Sequence, residues 1–221
     1  MTRIEFTTIT ENRHHGVSPE LLAQKWGVDV DKISNTLKRT TQNSIRSAIL
    51  PLTRRYRTDF ISQLLRRLNT TWYTDTLFSK QKSIIGNTCA QMFIDGKGFT
   101  YVHPMKSKAQ ADEALHKVTI DIGVPNTMIS DGAREQTGDN THFKEVDTRT
   151  IEPYSPWKNQ AENTIGIIKV TCNRRRIRRR IPKSCWDFGI VCEAEIYCRT
   201  TGKDGRTAMK RITGDTPDIS E

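Results

Sequence analysis

Residues 88–103 constrain the fold of this chain more than any other stretch. Residues 88–94 and 99–103 are rich in aliphatic, aromatic and β-branched side chains, and Asp95-Gly96-Lys97-Gly98 stands between them. Glycines in such a connection supply the positive φ that tight hairpin turns require, so the stretch predicts two antiparallel strands. Residues 71–77, with Thr, Trp and Tyr, predict a strand before the hairpin. Beyond it, Ala111, Leu115, Val118 and Ile122 recur at helical spacing within 108–122. Short strands are expected at 127–130 and near 148–152. Helices follow at about 159–172, behind Pro153-Tyr154-Ser155-Pro156, and at 184–197. Three antiparallel strands, a helical crossover and further strands predict an α/β fold with a mixed sheet and flanking helices. No internal repeat interrupts this order.

The N-terminal part has a different period. Ser18 can cap a helix, Pro19 suits its first position and Glu20 its first turn. Leu22, Ala23 and Trp26 fall on one face, Gly27 stops the helix, and Val30, Ile33 and Leu37 line a second one. A small residue where helices cross, a glycine at the turn and an aliphatic residue beyond resemble a helix-turn-helix; an ordinary helical hairpin has the same pattern. The chain divides into a helical segment at 1–52, a basic connector at 53–69, a core at 70–200 and a C-terminal extension at 201–221. The connector (Arg54, Arg55, Arg57, Arg66, Arg67) suits a helix on DNA or a solvated face.

Charge points to a polyanionic partner. Lys+Arg 35 against Asp+Glu 25 leaves +10, which favours encounter with nucleic acid. The excess peaks at Arg174, Arg175, Arg176, Arg178, Arg179 and Arg180, where no acid is interleaved as on an ordinary solvated helix face. Such a block reads as a phosphate-binding stripe or a nuclear-import signal. The five cysteines lack C-x-x-C spacing and are expected as free thiols in a reducing compartment. The N-terminus is too polar for a signal peptide, and no apolar run approaches membrane-spanning length, so a soluble intracellular protein is expected. His14 and His15 have no cysteine before Cys89 to complete a zinc site, and none is expected.

Three acids occupy distinctive positions. Asp75 interrupts a strand, where an acid is disfavoured without a purpose; Asp131 directly follows the strand at 127–130; Glu162 opens a helix. The contexts are TTWYTDTLF, MISDGAREQTG and PYSPWKNQAENTIGIIK, and the tail carries IPKSCWDFGIVCEAEIY followed by ITGDTPDIS. Together they resemble the DDE signature of retroviral and retrotransposon integrases, and the tail is similar to that of copia-type LTR elements.

The resemblance implies a ribonuclease-H-like fold from about residue 70 onward. It implies that Asp75, Asp131 and Glu162 hold two Mg²⁺ (or Mn²⁺) ions for 3′-end processing and joining of element DNA to target DNA. Double-stranded DNA partners, a homo-oligomer and nuclear localisation follow from the same resemblance. Asn159, Glu162, Ile165, Gly166 and Lys169 recur at three or four residues and are expected on one helix face, with Asn159 and Lys169 near the DNA backbone. Only 31 positions separate Asp131 from Glu162, and KEVDT occupies 144–148 where relatives fit a helix. The chain is therefore expected to be a piece of a longer polyprotein and a degraded, weakly active or inactive copy. A non-catalytic DNA-binding protein using the N-terminal hairpin and the arginine block is the alternative reading; a ribonuclease-H nuclease is a third.

Overall fold

A computed structural model describes residues 17–42, 67–130, 146–150, 160–214 and 216–219. The expectations about His14, His15, Asp131, Asn159 and most of the connector lie outside these residues.

Among the described residues, five strands form one sheet in the order β3-β2-β1-β4-β5. They are β1 (Arg67–Phe78), β2 (Cys89–Asp95), β3 (Thr100–Met105), β4 (Val124–Ser130) and β5 (Asp147–Thr150). Six helices accompany them: α1 (Pro19–Trp26), α2 (Val30–Leu37), α3 (Ala111–Asp121), α4 (Gln160–Arg178), α5 (Trp186–Arg199) and α6 (Ala208–Thr213). The first three strands are antiparallel, with Asp75 opposite Met92 and Phe93 opposite Tyr101. The hairpin forms as its sequence predicts: the Asp95 carboxylate accepts the backbone N–H groups of Lys97 and Phe99, and Gly98 takes φ +92. Helix α3 then carries the chain across to β4, which pairs with β1 in parallel, and β5 adds in parallel to β4.

Alternation along the strands divides the interior in two. Trp72 and Phe93 point to one face, where Ala114 and Val118 of α3 and Ala208 and Ile212 of α6 close over them. Tyr73, Leu77, Met92 and Ile94 point to the other, against Ala161, Ile165 and Ile168 of α4 and Ile190 and Ala194 of α5. Trp72 is fully buried, with its ring centroid 6.4 Å from those of Phe93 and Phe99. Covering roughly 150–250 Å² of such a ring makes it a main anchor of the sheet.

Several elements differ from their sequence expectation, each for a tertiary or terminal reason; β4 begins at Val124 rather than at 127. β1 starts earlier because Arg67 and Leu68 pair with Val124 and Pro125, burying Leu68. α4 runs past 172 to Arg178; arginine is a good helix former, and cations suit a helix C-terminus. α6 has apolar residues too few to show a period, yet Thr207 caps its first turn (3.2 Å to the Lys210 N–H) and Gly214 ends it.

The N-terminal hairpin is docked on the rest of the chain. Ser18 caps α1 through its hydroxyl (3.2 Å to the Leu21 N–H), and Gly27 closes it at φ 65, a conformation that favours glycine. Leu22, Ala23 and Ile33 share a small core with Ile219. The Thr36 hydroxyl accepts the Thr201 N–H (3.1 Å), and the Ile219 N–H donates to the Thr41 carbonyl (3.0 Å). Among the described residues no helix is long and apolar enough to cross a membrane.

Candidate active site

Asp75 lies in the interior of the central strand and on the α4 face, as its pairing with Met92 and its alternation with Tyr73 and Leu77 require. Its Oδ1 accepts the Thr76 N–H at 2.7 Å. The opposite face of the same strand holds a buried polar network. Gln91 donates to the Thr74 hydroxyl at 2.6 Å, Thr74 donates to the Met92 carbonyl at 3.0 Å, and Thr76 donates to Gln91 Oε1 at 2.7 Å. These bonds pin β1 to β2 on both sides of Asp75, which limits its freedom to move. β4 runs parallel to β1 and places Ser130 opposite Thr74. The carboxyl end of β4, the kind of position where open sheets present ligand-binding groups, therefore lies beside Asp75. Asp131, next in sequence after Ser130, is outside the described residues.

Glu162 is exposed in the first turn of α4, between Ala161 and Ile165, which both pack on the Asp75 face of the sheet. The two described acids of the expected triad thus belong to the same side of the sheet. Among the described residues no group of three His, Cys, Asp or Glu clusters as a metal site. The candidate donors are all carboxylates, hard oxygen ligands that suit Mg²⁺ or Mn²⁺ rather than softer metals.

Glu162 also borders a cleft of about 1110 Å³. Glu162, Gly166, Val170 and Arg174, four residues apart, line one wall; Ile94, Asp95 and the glycines of the β2–β3 turn form the other, with Tyr197 of α5 below them. The expected stripe is corrected here. Ile165 is buried in the core and Lys169 stands exposed outside the cleft, because a spacing of three or four spreads over a wide arc.

Asp95 is the residue that turn chemistry did not reveal as part of this wall. Its carboxylate is buried, Oδ2 has no hydrogen-bond partner, and burial raises its pKa above the ordinary carboxylate value. The N–H donors of Phe99 and Lys97 and the charges of Lys97 and Arg211 oppose that rise.

The arginine block separates by environment. Arg174 lines the cleft, and Arg178 and Arg179 border a neighbouring hollow. Arg180, past the helix end, adopts φ 54. Arg176 is half-buried and donates to Asn173 at 2.8 Å. Arg175 is turned inward instead of toward a phosphate. Its Nε and Nη2 donate to the Glu193 carboxylate, and Nη1 and Nη2 donate to the Lys25 and Trp26 carbonyls. With every arm of the guanidinium satisfied by the protein, it holds α1 against α4 and α5. All five cysteines are free, and burial pushes the thiol of Cys172 up to about 11 and that of Cys198 to about 12, far from a reactive thiolate.

The sheet order, the switch from antiparallel to parallel pairing at β1, and helices on both faces define a ribonuclease-H-like fold of the integrase catalytic-core type. The catalytic core domain of the HTLV-2 integrase, in complex with magnesium in a trimeric form, is similar at a TM-score of 0.51 and 17% identity, over 66% of this chain and 97% of that one. A simian T-cell lymphotropic virus intasome, in complex with the PP2A regulatory subunit B56 gamma, is similar at 0.50 and 16% identity, over 71% of this chain and 59% of that one. No protein-family model and no curated protein matches by sequence.

Proposed function

We propose that this chain is the catalytic core of a DDE-type integrase from a copia-type LTR retrotransposon, a polynucleotidyl transferase that processes element 3′ ends and joins them to target DNA. One observation carries the reading. Asp75 sits mid-strand on the face covered by the Glu162 helix, one residue past the pairing of Thr74 with Ser130, the residue that precedes Asp131. Asp75, Asp131 and Glu162 would hold two Mg²⁺ or Mn²⁺ ions. A divalent metal pair supplies Lewis-acid stabilisation of the attacking and leaving oxygens in an in-line displacement.

The protein's own part is positioning. The β1–β2 polar network fixes Asp75, and the packing of Ala161 and Ile165 fixes the start of α4. The attacking group is water for processing and the element's 3′-hydroxyl for joining, so no covalent enzyme intermediate is needed, in keeping with the unreactive buried thiols. Arg174, Arg178 and Arg179, with Arg176, Arg180, Lys169 and Asn159 nearby in sequence, are the proposed contacts to the DNA backbone. The magnesium and the trimeric form named for the HTLV-2 core support a metal-dependent, homo-oligomeric enzyme, and the arginine block supports entry to the nucleus. The short stretch between Asp131 and Glu162 makes this a weak copy.

The test is joining of a labelled duplex end into plasmid in the presence of Mg²⁺. Slow joining that falls at least about a hundredfold in Asp75→Asn and Glu162→Gln is expected, the scale of a misplaced site group. Joining at the unmodified rate in both variants would overturn the assignment. The alternative, a non-catalytic DNA-binding protein, draws support from the cations outside the cleft. It predicts duplex binding with no joining at any metal concentration.

A further inference from the structure

Three hollows adjoin one another through shared lining residues. The cleft beside Glu162 shares Ile167, Thr171, Arg174 and Tyr197 with a second hollow of about 340 Å³, between the C-terminal half of α4, α5 and the α1–α2 hairpin. Lys32 of α2 borders that hollow and also a third, of about 640 Å³, between α2 and the loop at 201–205.

We propose that the third hollow, lined by Lys32, Asn35, Lys38, Arg39 and Lys203, binds the phosphate backbone of duplex DNA at a distance from the reacting end. Lys32 and Asn35, three residues apart, lie exposed on α2, and the exposed Lys38 and Arg39 follow directly at its C-terminal end. From Lys32 to Leu37 the helix rises about 8 Å, the length of about two phosphates at 3.4 Å per strand, before the turn that carries Lys38 and Arg39. None of the four cations is paired with a carboxylate among the described residues. Asp204, the acid beside Lys203, is engaged by the Arg211 guanidinium, which also braces the loop by donating to the Arg206 and Lys97 carbonyls.

The remaining lining, Thr201, Gly202 and Gly205, offers no apolar side chain. The buried Trp and Tyr anchors that dominate protein interfaces are absent from this lining; a phosphate backbone needs none. The site is also rigidly placed, since Arg175 and the Thr36–Thr201 hydrogen bond fasten the hairpin to the core. Along α4 from Glu162 to Arg175, where the hairpin is docked, the rise is about 20 Å, or about six base pairs of duplex.

The proposal rests on the reading of the chain as acting on DNA, but its test does not use catalysis. Binding of a 30-base-pair duplex, a length of about 100 Å, is followed by fluorescence anisotropy in EDTA over a range of salt. Replacing Lys32, Lys38, Arg39 and Lys203 by Gln is expected to weaken binding about tenfold or more. It should also flatten the slope of log K against log salt by about 0.9 for each phosphate that is no longer neutralised. A control replaces the exposed Lys80, Lys82, Lys106 and Lys210 by Gln, removing the same charge, and should retain affinity.

Unchanged affinity in the first variant, or an equal loss in the control, would overturn the site. So would loss of duplex RNA binding with DNA binding intact. A melting temperature matching the parent chain shows that the variant is folded, and Lys203→Glu alone, at an exposed loop position, repeats the test if it is not. DNA binding that depends on these four residues, in a chain that never joins ends, would support the site and retire the catalytic reading.

Discussion

Removing the Arg175 guanidinium would leave Glu193, whose side chain is only 5% exposed, as an unpaired acid between α4 and α5. Breaking a fully buried pair costs about 3–5 kcal/mol. With the Arg175 side chain 18% exposed, Arg175→Ala is expected to cost about 2–3 kcal/mol, read by chemical denaturation. Adding Glu193→Gln should recover a large part of that loss, which a phosphate-binding arginine would not show. Asp95 carries the opposite kind of strain. Its pKa is raised in the folded chain, so the folded state binds its proton more tightly than the unfolded state does. The stability this contributes is present below the ordinary carboxylate value of 3.8 and is lost as pH rises through the folded value. Asp95→Asn keeps an acceptor for the Phe99 and Lys97 N–H groups. It should abolish that loss, visible as a flatter melting temperature against pH just above 3.8.

At the scale of elements, α4 ends in an unusual way. Arg180 occupies the left-handed position while the Ile181 N–H reaches back to the Arg176 carbonyl at 2.9 Å, a closure normally made with glycine. Arg180→Gly is expected to stabilise the chain by about 0.5–1 kcal/mol, since the side chain's steric penalty disappears. A loss of stability would mean that the arginine is held there by a compensating interaction. The strands and the first two helices were legible in the sequence because their information is local: alternation, turn glycines, Ser18 and Gly27 as caps. The extent of β1 was not, because Arg67 and Leu68 become strand only by pairing with Val124 and Pro125. The candidate site drew attention for the same reason in reverse. Asp75 stands out as an acid where a strand wants none, whereas Asp95 was absorbed by a turn motif that explains its N–H acceptor role but not its burial. Arg175 looked like its neighbours because charge alone does not say which of six arginines meets Glu193.

At the scale of the whole molecule, a metal that binds only the folded state stabilises it by mass action. If Asp75, Asp131 and Glu162 form one site, Mg²⁺ at a hundred times its dissociation constant should add about 2.7 kcal/mol, seen as a rise in melting temperature. Asp131→Asn should remove the rise while duplex binding persists. An undiminished shift in that variant would dissociate the metal from the triad.

The bond between Thr36 and Thr201 joins residues 165 positions apart, and Ile219 completes the core that Leu22 and Ile33 begin. On a ribosome this imposes an order of events. At ~5–20 residues per second the α1–α2 hairpin is made about 9–36 s before Ile219 emerges. During that interval Leu22, Ala23 and Ile33 lack their cover, and two helices of eight residues each are too short to persist alone. The hairpin that leads in sequence is therefore among the last parts of the molecule to fold, and a nascent chain stalled before residue 219 would expose it to chaperones and proteases.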